Sequence, residues 1–507
     1  MEQSITENKS KQGFKILFLF PNIHILTPKI FPMECGLLST IAKQHGHETR
    51  IFVADSLPRL KKVPRVLREF QPDVVGVTAI GSQAQYALEM AKMAKQWRDV
   101  PVIMGGKHAS LAPEDLVHRP ELDAVVVGEG EHALVEYLEA LRSGSGLAGI
   151  RNLWYRDGGE VRKNPPRPFI DLDTLPLPDY EALDYQAILN RNYKTVVGMV
   201  TRGCPAKCTF CGVPWLARTG TGQFCRVRSI PHIVDEFRYL DENYDFNYVY
   251  FRDDTFTMDR DWTLEFCEAW PKHFSQGFEI LTRADTLDEE LLDALKNAGC
   301  QCIWIGADSG NDTIREKILH KNVSNRQLVE VCDYMQKIGI RPCLTNMIGL
   351  PYETPERFED TIELNRRVYG KKDLNISAGN GPLPKLFTFS PFPGTPLWSL
   401  CEKEGWLNHI PRGFKTYEES YIDMPQFPKK EVYRAKRRFR YLVYKDSHPW
   451  YARFLWLVDS PFGRFLAEKV NVAHYPFNWL MKSLSRVTDR ERGKSADIPP
   501  EKTKAAA

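Results

Sequence analysis

The chain lacks any uncharged apolar run of the length a membrane-spanning helix needs, so no helical membrane span is expected. Its net charge is only +3 over 507 residues. That excess is too small to imply a bulk polyanion, so no nucleic-acid partner is expected. The cysteines, 11 in all, are odd in number and unevenly clustered. They do not form a disulfide framework, and a reducing, cytoplasmic setting is expected. The first twelve residues are polar and lack an apolar core, which predicts no secretory signal there. No Gly-x-Gly-x-x-Gly follows the first strand, which argues against a dinucleotide site. What remains, 43% hydrophobic and 26% charged residues, describes an ordinary globular chain long enough for several domains.

One dense cysteine loop stands out. Thr201-Arg202-Gly203-Cys204-Pro205-Ala206-Lys207-Cys208-Thr209-Phe210-Cys211 spaces its thiols C-x3-C-x2-C, with an aromatic residue before the last. A short loop of this kind can turn three thiolates toward one point. Three sulfurs are one too few to close a four-iron cluster, which normally takes four cysteines. The remaining iron is then open to a ligand that is also a substrate. The other reading is a zinc knot with Cys225 as fourth ligand. Cys208 and Cys211 form one C-x2-C pair, but no second pair or neighbouring histidine completes a zinc set.

Before this loop, apolar strands alternate with helical patterns. Lys15–Phe20, Glu48–Val53, Val74–Thr78, Val102–Met104 and Ala124–Val127 read as buried strands. The alternation predicts a doubly wound parallel sheet over residues 13–145, after a disordered tail at 1–12. Ligands bind such sheets outside the carboxyl ends of the strands. Those ends carry Thr78 and Ser82, Gly105-Gly106-Lys107-His108, and Gly128-Glu129-Gly130-Glu131. Residues 146–190 hold a hairpin pattern and then a proline-rich connector, the expected domain boundary. From 191 to 400 six strand–helix repeats follow, predicting a partial (β/α)6 barrel. Its strand ends carry Asp253-Asp254, Arg283 and Asp285, Asp308-Ser309, Gly349 and Glu353, where parallel α/β barrels place their sites. For Asp285 and Glu353, each just ahead of a helix, a cap or ion pair and a ligand role are both open.

Over roughly residues 14–400 these loops resemble the cobalamin-dependent (B12-binding) radical S-adenosylmethionine (SAM) enzymes, in particular the methyltransferase-like ones. The resemblance implies an α/β enzyme: an N-terminal cobalamin-binding domain, a central radical SAM barrel and a C-terminal, mostly helical cap. It implies a [4Fe-4S] cluster on Cys204, Cys208 and Cys211, with SAM on the open iron. Phe210 would lie near the SAM adenine, and Asp253 and Asp254 near its amino group. Arg283, Asp308 and Ser309 would lie near its carboxylate and ribose, and Gly349 forms the strand-five turn. Many relatives have Glu-Ser where this chain has Asp308-Ser309. Cobalamin would be bound by Thr78, Ser82, Gly105, Gly106, His108, Gly128, Glu129 and Gly130. No Asp-x-His-x-x-Gly occurs in this domain, so no histidine is supplied to the lower cobalt face, and His108 is expected as a turn residue.

The implied reaction is methyl transfer to an unactivated carbon of a natural product or lipid. Methylcobalamin would carry the methyl group, and a 5′-deoxyadenosyl radical would abstract hydrogen from the substrate. A flavodoxin or ferredoxin is the expected electron donor, and a monomer the expected state. A cyclase or ring-rearranging enzyme without methyl transfer is the alternative within the family, and a non-catalytic cobalamin or redox sensor the alternative outside it. Residues 401–487 read as mostly helical and 488–507 as disordered. The basic stripe Arg434, Lys436, Arg437, Arg438 and Arg440 and the aromatic-rich segment after His448 have two readings: a helical cap docked on the barrel, or peripheral membrane contact.

Overall fold

The computed structural model describes residues 13–23, 31–371, 384–408, 418–460 and 463. The N-terminal tail and the aromatic stretch from 464 onward, with Tyr475, Phe477 and Trp479, lie outside them.

The first sheet has seven strands: β1 (Lys15–Pro21), β2 (Glu48–Ala54), β3 (Val74–Thr78), β4 (Val102–Gly105), β5 (Ala124–Val126), β6 (Leu153–Asp157) and β7 (Glu160–Lys163). Their order is β2-β1-β3-β4-β5-β6-β7. The first five pair in parallel, as their continuous Val/Ile/Leu runs require when both faces are covered. Helices such as Met33–Gln44, Ala84–Trp97 and Glu131–Ser143 bury opposite faces in two separate apolar clusters. The hairpin β6–β7 is antiparallel and continues this sheet. The connector after it is packed rather than free. Arg167–Pro168 pairs with Gly220–Thr221, and the Leu177 carbonyl and the Asp179 carboxylate accept bonds from Thr40 and Ser39.

The second sheet is all parallel: β8 (Thr195–Gly198), β9 (Tyr248–Phe251), β10 (Gly277–Thr282), β11 (Cys300–Asp308), β12 (Arg341–Ile348) and β13 (Lys385–Thr388), in sequential order. β8 and β13 are its two edges, so the barrel is open. The helices between strands start at side-chain caps, where Ser229, Asp288, Ser324 and Thr354 each accept from a backbone N–H three residues on. The C-terminal helices dock on this barrel. Phe439 of helix Lys429–Tyr444 lies 6.0 Å from Phe358 between ring centroids, and Lys436 and Arg440 are held by Thr388 and Asp459. Among the described residues no helix is long and apolar enough to cross a membrane.

Candidate active site

The carboxyl ends of the first sheet and the mouth of the barrel face each other across a cavity of about 440 Å³. Thr78, Gly105, Gly106, Gly128, Glu129 and Gly130 line it from the first sheet, and Arg202, Gly203, Arg252, Asp253 and Asp254 from the barrel. A Cβ added at Gly105 or Gly130 would meet nothing closer than Val126, at 3.9 and 3.8 Å, so both backbones are open to the cavity. Gly128 is different. Its φ is +101°, and a Cβ there would fall 2.8 Å from the Thr219 carbonyl oxygen. Only glycine lets the barrel loop approach this turn. Glu129 lines the cavity, but its carboxylate is taken by Arg202 (3.0 Å) and Arg226 (2.6 Å). Burial alone would raise its pKa; the Arg226 bond and the Arg202 charge outweigh that and hold it below the usual range. His108 is buried in the helix Lys107–Leu111 and is not among the cavity-lining residues. Ser82 sits in the turn Gly81–Gln83.

The cysteine loop runs beside this cavity, with Gly203 and Val213 in its wall. The Cys204 thiol lies 3.1 Å from the Thr255 hydroxyl, and Cys208 Sγ accepts from Arg283 at 3.6 Å. Thr209 fixes the loop from beneath: its amide donates to the Leu319 carbonyl at 3.2 Å and its hydroxyl to that of Ile318 at 2.5 Å. Phe210 packs against the barrel core. Burial raises the Cys208 thiol pKa and pushes Cys211 up to about 12. Both are therefore protonated until a metal displaces the proton. Cys225, the fourth ligand of the zinc reading, is half-buried, its Cα packed near Gly203. Cys300, Cys302, Cys332 and Cys343 are buried.

Asp253 is fully buried at the end of β9. Its Oδ1 accepts the amides of Val200 (2.9 Å) and Thr201 (2.6 Å), and Oδ2 has no protein partner. Burial raises its pKa to about 7. Asp254 is more open and lies 3.7 Å from Lys107 across the cavity. Arg283 is neutralised by both oxygens of Asp285. Asp308 has φ +63° and is buried against Lys321, Nζ to Oδ2 2.7 Å. Ser309 is fully buried and its hydroxyl caps the Asn311 amide at 3.2 Å. Gly349 has φ +81°, and its amide donates to buried Glu353 at 2.7 Å.

Comparison with known proteins gives the same division of the chain. Residues 27–138 match the B12 binding domain and residues 199–364 the Radical SAM superfamily. An uncharacterized methyltransferase of Pyrococcus horikoshii is 30% identical over 402 residues, covering 76% of this chain and 83% of that one. This chain belongs to the cobalamin-dependent radical SAM family. A cytidylyl-2-hydroxyethylphosphonate methyltransferase of Streptomyces wedmorensis is 24% identical over 84% of this chain and 89% of its own. The fold is that of the radical SAM methyltransferase TsrM from Kitasatospora setae, solved with cobalamin and a [4Fe-4S] cluster: TM-score 0.62 at 18% identity, over 79% of this chain and 76% of that one.

The cofactors of this family are a [4Fe-4S] cluster, SAM and cobalamin, and the residues present fit them. Among the described residues no three His, Cys, Asp or Glu side chains converge as ligands of one ion would; a four-iron cluster instead takes each thiolate on a different iron. Among the described residues three buried carboxylate oxygens lack protein partners, Asp253 Oδ2, Glu131 Oε2 and Glu353 Oε1; Asp253 and Glu131 line the cavity, where an unpaired buried oxygen fits a polar ligand. Glu131, Arg202, Arg252 and Lys321 carry no role in the sequence motifs and emerge only in the fold. Glu131 and Arg202 lie inside the very turns that carried the resemblance. Nothing in the sequence marks Lys321, whose pairing with Asp308 exists only in the folded barrel.

Proposed function

We propose that this enzyme methylates an unactivated carbon of a small molecule, a natural product or lipid. The observation that carries the reading is convergence: the glycine turns of one sheet and the cysteine loop of the other adjoin one cavity. When bound, the cluster with SAM supplies one-electron chemistry, and cobalamin supplies a transferable methyl group.

The chain's own residues then divide the work. Cys204, Cys208 and Cys211 hold the cluster, and Arg283 donates to Cys208, so one thiolate carries a charge-assisted bond. Asp253, with one oxygen fixed by two amides and one free, orients a donor such as an ammonium group. Asp254 adds charge at the rim, and Phe210 supplies an aromatic face. Asp308, held by Lys321, presents its other oxygen to a hydroxyl; Ser309 and Gly349 shape the turns around it. Gly105 and Gly130 give a flat cofactor a close backbone approach, and Thr78, Gly106 and Gly128 complete the wall around it. Glu129 anchors that turn to the barrel rather than meeting the ligand with a free carboxylate. His108 acts behind the turn. Apolar residues such as Leu37, Phe169 and Val213 exclude water between the two sites.

The reading includes a domain boundary within 146–190, a monomer in the reducing cytoplasm, and a small flavin or iron–sulfur electron donor. All 11 cysteines are free thiols, which supports the reducing setting. Trp450, Trp456 and Leu457 are exposed on one short helix, which supports a peripheral lipid contact there.

The test is Cys208→Ala. Elemental analysis after anaerobic reconstitution should show iron falling to background while cobalt from bound cobalamin stays at the wild-type level. Iron at the wild-type level would sink the cluster assignment.

A further inference from the structure

Two cofactor sites on separate sheets can be coupled through a link in the protein, and Arg202 forms one. It lies two residues before Cys204, in an antiparallel pair with Arg226. Its guanidinium reaches into the first sheet's turn, 3.0 Å from Glu129 Oε1 and 2.8 Å from Glu131 Oε1. Arg226 holds the same Glu129 oxygen at 2.6 Å, and Glu129 Oε2 accepts the Ile170 amide at 2.9 Å. Glu131 keeps its other oxygen buried, unpartnered and in the cavity wall. The opposite side of the turn is closed by contact. Gly128 lies against Thr219, and a Cβ at Gly212, the residue after Cys211, would fall 2.6 Å from Leu111 of the helix behind Gly105-Gly106. The loop that carries the cysteines and the turn that lines the cofactor cavity are thus tied by ion pairs on one side and by packing on the other.

We propose that Arg202 is a positioning residue that couples the two cofactor sites, so that each cofactor binds more tightly when the other is present. The proposal rests on the cofactor assignment above. A guanidinium presents its donors as a rigid fork and fixes two carboxylates in one geometry, which neither Lys nor Gln can do. The three side chains are 25%, 19% and 8% exposed, so salt screens the link little. Filling the cysteine loop with its cluster removes freedom from Arg202, and hence from the Gly128–Glu131 turn. The coupling is reciprocal by linkage.

Anaerobic equilibrium dialysis of hydroxocobalamin, read by absorbance, gives the cobalamin Kd of full-length protein with and without its cluster. The wild type should bind at least about fivefold more tightly when cluster-loaded. Arg202→Gln should bring that ratio to about one while cobalamin still binds. Glu131→Gln, which neutralises only one of the two carboxylates, should lower the ratio without abolishing it, and serves if Arg202→Gln does not fold. A wild-type ratio of one, or an unchanged ratio in either variant, overturns the coupling alone. A wild type that takes up neither iron nor cobalamin overturns the cofactor assignment and the coupling with it.

Discussion

Glu353 is fully buried, and only its Oε2 has partners, the amides of Gly349 and Leu350 at 2.7 and 3.3 Å. Burial raises its pKa to about 8, against the lowering effect of those two amides. Between about pH 4.5 and 8 the folded protein therefore keeps a proton that the unfolded chain has released. Stability falls as pH rises through that window, by on the order of 3–5 kcal/mol from this group. Glu353→Gln keeps an oxygen for the two amides and removes the ionisation. It should raise the denaturation midpoint over the wild type at pH 8 and leave it unchanged at pH 4.5. A pH-independent difference would contradict this reading of Glu353. Sequence patterns locate such carboxylates at strand ends but do not distinguish their tasks. Asp253 and Glu353 both follow strands at the barrel mouth, yet only Asp253 lines the cavity. Arg283 looks like an anion ligand in the sequence, and in the fold it is already neutralised by Asp285, two residues away.

Among the elements, helix Lys429–Tyr444 carries the docked part of the C-terminal region. Val432, Phe439, Val443 and Tyr444 face the barrel and are buried, while Arg437 and Arg438 face solvent. Phe439→Ala should cost about 3–5 kcal/mol, the range for a large buried aromatic. Arg437→Ser should stay within about 0.5 kcal/mol, as exposed substitutions do. Both are checked by denaturant titration, and equal effects would contradict the docked-helix geometry. The strands of both sheets are legible in the sequence because a parallel strand covered on both faces reads as one apolar run, as in Lys15–Phe20 and Cys302–Gly306. The connector is less legible. Its prolines suggest an extended spacer, but pairing of Arg167–Pro168 with Gly220–Thr221 and the bonds from Ser39 and Thr40 are long-range contacts that no local pattern encodes.

At the scale of the whole molecule, function depends on two sheets presenting their carboxyl ends to one cavity. The strand order β2-β1-β3-β4-β5 brings three glycine-bearing or threonine-bearing ends side by side, and the open barrel turns its cysteine loop toward them. Right-handed crossovers narrow the possible strand orders to a few; the facing of the sheets follows from Gly128 against Thr219 and from the Arg202 and Arg226 ion pairs, which appear only once both domains are folded. The most direct measurement uses anaerobically reconstituted protein with cobalamin, SAM, a strong reductant and extract from the source cells, with S-adenosylhomocysteine and 5′-deoxyadenosine quantified together. A methyltransferase of this class should raise both products in step with added extract. Substrate-dependent 5′-deoxyadenosine without S-adenosylhomocysteine would contradict methyl transfer and point to cyclisation or rearrangement.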